Sequence, residues 1–211
     1  VKGSVIVKDF SKEKFKMHLK SNKDNVIKIL PGGVVTAKDT AEIQLDENGE
    51  FVRNPEVDLV KVAVVERHQG TGNVACGFLK GYGIKEGAVA LSIAHDSHNI
   101  IVVGVNDEEM EFAVNSLIAQ EGGMVLVKEG KVIESMPMPI AGLMSDQSGE
   151  WVDQKLTDIH EKAYKELGIC GDVEPVMTLC FMSLAVIPEV KLTDMGLFDV
   201  TTFSFIPVEA E

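Results

Sequence analysis

The sequence contains few cysteines, and their spacing is not that of a disulfide-rich protein. Cys76, Cys170 and Cys180 are the only three among 211 residues, and no CxxC pair is present. An odd number of cysteines, each in apolar surroundings, does not indicate a disulfide framework. We therefore expect free, buried thiols in a reducing compartment.

Basic residues are also scarce relative to acidic ones. The chain has 20 Lys and Arg against 33 Asp and Glu, which gives a formal net charge of −13 at pH 7. Nucleic acids and anionic membrane surfaces both require a basic face on the protein that binds them. The charge balance therefore argues against either of them as a partner.

The sequence lacks an apolar run of the ~20 residues that a membrane-spanning helix requires, and it shows no signal peptide. We therefore expect a cytoplasmic protein. Hydrophobic residues make up 45% of the chain and charged residues 25%, as in ordinary globular proteins. The length allows one large domain or two small ones. The chain starts at Val1 without a methionine, which leaves open that it belongs to a longer protein.

The pattern of apolar and turn residues predicts two parts. Residues 1–57 contain short β pieces separated by turns, the first of them a predicted strand over residues 1–7, and we expect a β-rich segment that packs onto something else. Residues 58–211 are predicted to form the main domain, which opens with four strand-like apolar runs. These runs are Leu59–Val65, Val74–Leu79, Ala88–Ala94 and Ile100–Val105.

Two long helices are predicted within the main domain. Asn106 is a good N-cap residue, with Glu109 three positions later as in a capping box. Ser148 is predicted to cap the second helix, from about Glu150 to Leu167. Strands in groups, with two long helices and no regular alternation, predict an α+β fold. We expect a mixed, mainly antiparallel sheet with both helices packed on it, plus the N-terminal β segment.

Histidine, carboxylate and amide groups are concentrated in two stretches at the ends of strand-like runs. The first contains Glu66, Arg67 and His68, and the second runs from His95 through Asp96, Ser97 and His98 to Asn99. Packing rarely requires so many hydrogen-bonding groups together, because each of them must be satisfied when it is buried. We expect a site for a small polar ligand here.

Other interpretations of these stretches remain open. His95 and His98 could bind a metal, but on strands their spacing directs them to opposite faces, and no further spaced ligands are present. A nucleophilic serine with histidine and Asp96 lacks a nucleophile elbow around it. The Gly70–Asn73 stretch matches no phosphate-binding motif. A polar cluster that only organises tight turns is the remaining alternative.

Several longer motifs resemble the C-terminal domain of adenine deaminases, which belong to the amidohydrolase superfamily. The resemblance extends from about Val34 to Pro207. The motifs that carry it are Val64–His68, Gly70–Asn73, Gly77–Phe78, Gly81–Gly83, Ala94–Ile100, Pro139–Asp146 and Val186–Asp194.

The resemblance implies hydrolysis of adenine to hypoxanthine and ammonia by the parent enzyme, with a divalent metal, Mn or Fe. In that family the metal ligands lie on a (β/α)8 barrel that precedes this domain. This sequence has no HxH pair, and 211 residues cannot hold a barrel of typically ~250 residues as well. We therefore expect a C-terminal fragment or a free-standing relative, which binds no metal and is inactive alone.

The resemblance also implies the catalytic barrel and adenine as partners, and we expect a homo-oligomer. We expect the two polar stretches to contribute substrate-pocket groups, or groups that support them. The candidates are Glu66, His68, His95, Asp96, Ser97, His98 and Asn99. Arg67 and Asp146 are expected to give structural support as an ion pair. The alternatives are a purely structural interface module and an independent metal-dependent hydrolase.

Overall fold

The apolar runs of the sequence form one eight-stranded sheet in the computed structural model, which describes residues 1–210. Its strand order is β10-β9-β7-β8-β5-β6-β1-β2, and every neighbouring pair is antiparallel except β1 and β6. β11, β12 and β13 form a separate three-stranded sheet, and β3 pairs with β4. The strands are β1 (Lys23–Ile29), β2 (Thr36–Glu42), β3 (Gln44–Leu45), β4 (Phe51–Val52), β5 (Leu59–Val65), β6 (Val74–Lys80), β7 (Ala88–Leu91), β8 (Ile100–Gly104), β9 (Gly123–Lys128), β10 (Lys131–Pro137), β11 (Val190–Thr193), β12 (Gly196–Asp199) and β13 (Ser204–Phe205).

Two long helices pack on this sheet, as the sequence predicts. They are α1 (Asp107–Ala119) and α2 (Gly149–Lys165), and the described residues also contain a short α3 (Met177–Cys180) and a 3-10 turn (Lys12–Phe15). The side chain of Asn106 accepts a hydrogen bond from the Glu109 N–H at 2.8 Å. The Ser148 hydroxyl accepts one from the Trp151 N–H at 3.3 Å. Both predicted caps and the predicted α+β class are confirmed.

The capping box at α1 is only half formed. Glu109 was expected to reach back to Asn106, but its Oε1 accepts a hydrogen bond from Gly130 N–H in the β9–β10 turn, at 3.0 Å. The carboxylate therefore ties α1 to the neighbouring hairpin. Glu109 binds the Gly130 N–H and not the Asn106 backbone, because the turn brings this unsatisfied backbone donor within reach of the carboxylate.

The sheet is buried on both faces. Successive residues of a strand point to opposite faces, so β5 divides its side chains between two cores. Ala63 and Val65 pack with α1 on one face, whereas Val60, Val62 and Val64 pack with α2 and α3 on the other. β5 lies between β8 and β6, as its nearly continuous apolar sequence predicts.

Two of the N-terminal strands, β1 and β2, belong to the main sheet. β1 pairs with β6 in parallel and with β2 in antiparallel orientation. Residues 1–7 were expected to form a strand, but they form none, and the Ile6 N–H donates to the Arg67 carbonyl at 2.8 Å. The boundary expected near residue 57 stays a prediction, and no break in the main sheet marks it.

The three cysteines are free among the described residues, but they differ in exposure. Cys180 is buried and Cys76 is half-buried, whereas Cys170 is exposed. The expectation that all three are buried is wrong for Cys170, because this residue lies in the irregular segment that follows α2. In addition, no helix within residues 1–210 has both the length and the apolar character needed to cross a membrane.

β1 contains a buried carboxylate that has no hydrogen-bond partner in the described part of the chain. Asp24 is fully buried, and neither of its carboxylate oxygens has a hydrogen-bond partner among residues 1–210. Burial, with a smaller contribution from Glu209, raises the pKa of Asp24 to about 6. A raised pKa in the folded state favours the protonated form. The contribution of protonated Asp24 to the stability of the fold is therefore fully present below the unfolded pKa of about 4, and it is lost as the pH rises through 6.

Asp24→Asn is expected to raise the free energy of unfolding at pH 8 by up to about 3 kcal/mol, because the amide replaces an unpaired buried charge. At pH 4 the substitution should have little effect, since the protonated acid is already neutral. Urea unfolding at the two pH values measures the difference. Asp39→Asn is the control, because Lys80 and the Thr40 N–H hold the pKa of Asp39 below its usual range. The prediction is contradicted if Asp24→Asn raises the free energy of unfolding as much at pH 4 as at pH 8.

Candidate functional site

The sheet topology brings the polar stretches to one end of the sheet. Val65 at the end of β5 pairs with Ile100 at the start of β8 and with Val74 at the start of β6. Leu91 at the end of β7 pairs with Met124 near the start of β9. The loops 66–73 and 92–99 therefore lie side by side. The polar cluster, as we call it, comprises Glu66, Arg67, His68, His95, Asp96, Ser97, His98 and Asn99.

Glu66 organises its own loop. Its carboxylate accepts hydrogen bonds from the backbone N–H groups of His68 (2.5 Å), Gln69 (2.7 Å) and Thr71 (2.9 Å) and from the Thr71 hydroxyl (3.1 Å). Burial by itself raises the pKa of Glu66, but these hydrogen bonds outweigh it and lower the pKa to about 2. Glu66 is therefore ionised at neutral pH, and several of its acceptor positions are already occupied.

Arg67 is buried without a carboxylate partner. Its side chain is only 1% exposed, and burial lowers the pKa of the guanidinium. Nε donates to the His98 carbonyl and Nη2 donates to the Ala141 carbonyl at 3.1 Å. Nη1 has no hydrogen-bond partner among residues 1–210. Arg67 thus connects the His98 turn to the loop that follows β10.

The expected ion pair between Arg67 and Asp146 does not form. Asp146 lies at the surface and pairs with Lys2, whose Nζ is 3.0 Å from its Oδ2. Arg67 instead satisfies backbone carbonyls, because the loop bends so that Ala141 faces the guanidinium. Gly142 makes this approach possible: a Cβ at that position would lie 2.7 Å from Nη1.

His95 and His98 come together on one turn. Their ring centroids are 5.3 Å apart in an edge-to-face arrangement, and the His95 ring also packs against Phe181 at 4.8 Å. The expectation that they point to opposite faces is wrong, because residues 92–99 form a turn between β7 and β8 and not a continuous strand. His98 adopts a left-handed backbone conformation with φ of 52°.

His98 is half-buried, and its surroundings favour the neutral form of its ring. Burial, followed by the nearby His95 and Arg67, lowers the pKa of His98. Its Nδ1 is buried and has no hydrogen-bond partner among the described residues. A neutral imidazole donates through one ring nitrogen and accepts through the other. His98 is therefore suited to exchange hydrogen bonds with an uncharged heterocycle.

The remaining cluster residues divide into exposed and structural groups. His68 is exposed, and its Nε2 lies 2.7 Å from the Ser97 carbonyl. Asp96 and Ser97 are both exposed. Asn99 is buried, with its Oδ1 accepting from the Arg67 N–H at 3.3 Å. The structure thus brings all the predicted residues except Asp146 into one cluster, and their functional role stays a prediction.

The sequence did not identify three neighbours of this cluster. Asp194, in the β11–β12 turn, accepts from Asn99 Nδ2 at 3.2 Å and from Asn73 Nδ2 at 3.4 Å. Phe181 packs on His95, and the Ala141–Gly142 bend holds Arg67. These residues lie far from the cluster in the chain. Asp194 and the Ala141–Gly142 bend fall within the motifs Val186–Asp194 and Pro139–Asp146 that carry the family resemblance, whereas no pattern in the sequence points to Phe181.

The cluster does not fit a metal ion. Within residues 1–210, no group of three or more His, Cys, Asp or Glu side chains is placed to hold one. His95 and His98 pack ring against ring, and Glu66 is occupied by its own loop. The arrangement instead offers hydrogen-bond donors and acceptors beside an aromatic ring, which suits recognition of a planar polar molecule.

Comparison with known proteins assigns the chain to a family. Residues 33–204 match the family model described as adenine deaminase C-terminal domain. A protein named adenine deaminase 2 from Desulfotalea psychrophila is 66% identical over 99% of this chain. Adenine deaminases from Ligilactobacillus salivarius and Bacillus subtilis are 48% and 44% identical over 100% and 94% of it. The chain covers 36%, 36% and 34% of these three proteins, so it spans about a third of their length.

Proposed function

The chain belongs to the adenine deaminase C-terminal domain family, and on that premise we propose that it is the C-terminal part of an enzyme that hydrolyses adenine to hypoxanthine and ammonia. The relatives that carry this name are about three times as long as the chain. We propose that the catalytic (β/α)8 barrel lies in the remaining part of the enzyme and holds a divalent metal, Mn or Fe. That metal supplies the activated water for hydrolysis.

Within this enzyme we propose that the polar cluster packs on the barrel and completes the substrate pocket. The observation that carries this role is the pair of histidines on one turn, with His98 held in place through its carbonyl by Arg67. Adenine is a neutral, planar molecule with both donors and acceptors on its edge. A neutral His98 can match these groups, and Asp96, Ser97 and His68 line the same exposed side.

Each cluster residue has a distinct task in this proposal. His98 and His95 contact the substrate or the residues that touch it. Glu66 and Asn99 hold the two loops in place through the hydrogen bonds described above. Arg67 positions His98 and excludes water from the space beneath the turn. We also propose cytoplasmic purine salvage as the context and a homo-oligomeric enzyme, in keeping with the resemblance.

The test is adenine deamination by the purified full-length enzyme and by residues 1–211 alone, both loaded with Mn. We expect the full-length enzyme to release ammonia and hypoxanthine, and the isolated chain to release neither, because residues 1–210 contain no group of three or more His, Cys, Asp or Glu side chains placed to hold a metal ion. Failure of the full-length enzyme to deaminate adenine overturns the proposed activity. Turnover by the isolated chain supports an independent hydrolase instead.

A second candidate role is a structural interface module. The observation in its favour is that Glu66, Arg67 and Asn99 already satisfy backbone groups inside the domain. In that case the histidines serve only the fold, and their substitution lowers stability without a specific loss of turnover. The two roles therefore predict different outcomes for substitution of His98.

A further inference from the structure

The outer face of the small sheet carries an exposed aromatic patch. The Phe198 ring packs edge-to-face against the rings of Phe203 and Phe205, with centroids 5.2 Å away in both cases. Phe203 is 74% exposed and Phe205 is 52% exposed. Phe198 and Phe205 are opposite each other across β12 and β13, so their side chains share one face. We define the aromatic patch as Phe198, Phe203 and Phe205 together with Met195, which is 72% exposed.

The patch is uncharged in a strongly acidic chain. Charged residues make up 25% of the sequence, yet residues 200–208 contain none. Its side chains are aromatic rings, a thioether and the hydroxyl groups of neighbouring Thr and Ser residues. Aromatic residues and Met are enriched at the cores of protein interfaces, from which charged residues are depleted. Exposed apolar patches of this kind mark interaction surfaces.

The turn between β11 and β12 connects the patch to the polar cluster. Asp194 binds the buried Asn99 of the cluster, and the next residue is Met195. A Cβ on Gly196 would lie 3.6 Å from Cδ1 of Phe205, so the aromatic ring lies beside the residue after Met195. A partner that covers both the cluster and the patch would therefore span this turn.

We propose that the aromatic patch is the surface through which this domain binds the catalytic domain of its own chain. The proposal rests on the proposed function, in which the catalytic domain covers the polar cluster. The family description places this domain at the C-terminal end of its relatives, and the chain spans 36% of the first of them. Most of such a protein precedes the position of Val1. The Val1 carbonyl accepts a hydrogen bond from the Ala141 N–H at 3.0 Å, and the Ala141 carbonyl binds Arg67. The position at which the catalytic domain would connect to this domain therefore lies next to the polar cluster.

A second copy of this chain is the competing occupant of the patch. A second copy would bury the same rings. Association of two copies depends on protein concentration, whereas an intramolecular contact does not. Two observations favour the catalytic domain. The rest of such a protein would join this chain at Val1, whose carbonyl binds Ala141 beside Arg67. The patch residue Met195 directly follows Asp194, which binds Asn99 of the cluster.

Hydroxyl-radical footprinting of the full-length enzyme tests the proposal, because the radical labels exposed Phe and Met side chains. We expect Met195 to be labelled at least about fivefold less than Met177, and Phe203 and Phe205 at least about fivefold less than Phe112, since interface cores exclude water. Met177 and Phe112 are the matched controls because they carry the same reactive groups: Met177 is 53% exposed on α3 and Phe112 is 37% exposed on α1. The protection should persist over about a hundredfold dilution of the protein.

Each other outcome overturns the proposal. If Met195 is labelled as strongly as Met177, and Phe203 and Phe205 as strongly as Phe112, the surface is open to solvent. Protection that disappears on dilution, with a matching fall in mass by light scattering, shows a second copy as the occupant. Adenine deamination is measured on the same preparation. If the enzyme deaminates adenine while the patch is labelled freely, only the docking proposal fails; without deamination, the proposed function fails.

Discussion

Replacement of His98 by alanine in the full-length enzyme is expected to lower kcat for adenine deamination by about 100-fold or more at unchanged melting temperature. The expected cause is the loss of a neutral imidazole whose backbone is fixed by Arg67 and whose Nδ1 has no hydrogen-bond partner among residues 1–210. A buried nitrogen without a hydrogen bond costs free energy in the folded state, so removal of the imidazole should spare the fold. Steady-state kinetics and thermal unfolding of the same preparation provide the two measurements.

Two further variants separate the function of His98 from its backbone conformation. His98→Asn tolerates the left-handed conformation at φ of 52°, because asparagine adopts it more readily than most residues. It should lose turnover to a similar extent if the imidazole itself matters. His18→Ala is the matched control, since His18 is exposed and pairs with Glu50 far from the cluster. Full turnover in His98→Ala, or a large loss of stability, indicates that the cluster is structural.

Gly142→Ala is expected to destabilise the protein by about 2–4 kcal/mol, the second large effect that the structure predicts. Gly142 has a φ of +71°, and an added Cβ would lie 2.7 Å from Nη1 and 2.9 Å from Cζ of Arg67. The guanidinium is buried and held on both sides by carbonyl groups, so it cannot move away at low cost. Urea unfolding measures the loss.

Gly130→Ala is the control for Gly142→Ala. Gly130 has a similar φ of +66°, but nothing lies within 4 Å of the position that its Cβ would take. Gly130→Ala should therefore lower the free energy of unfolding by only about 1 kcal/mol, which is the cost of a positive φ at a residue with a Cβ. Equal losses in the two variants would show that the contact with Arg67 is unimportant. A displaced Arg67 should also lower kcat in Gly142→Ala, because the same side chain holds His98.

The strands and helices were largely predictable because their signals are local. The continuous apolar run of β5 indicated a central strand, and the structure places it between β8 and β6. Asn106 and Ser148 marked the starts of α1 and α2 through hydrogen bonds made within three residues. Residues 1–7 could not be predicted, because whether such a segment pairs as a strand depends on what lies beside it.

The candidate site was predictable in composition but not in geometry. The density of His, Asp, Ser and Asn in residues 95–99 identified the cluster. The contact between the rings of His95 and His98 depends on a turn with a left-handed residue, and that turn is stabilised by Arg67 from another loop. The pairing of Asp146 with Lys2 likewise depends on where residue 2 lies, 144 positions away in the sequence.

The sequence by itself determined the fold class, the two helix starts, the family and the stretches that hold the polar groups. These properties follow from hydrophobic periodicity, capping residues and motifs that act over a few residues. Only the tertiary structure decided that Arg67 binds carbonyls and not Asp146, that Asp194 and Phe181 join the cluster, and that an aromatic patch adjoins it. Those contacts join segments far apart in the chain, and their energies depend on burial and distance, which no local pattern encodes.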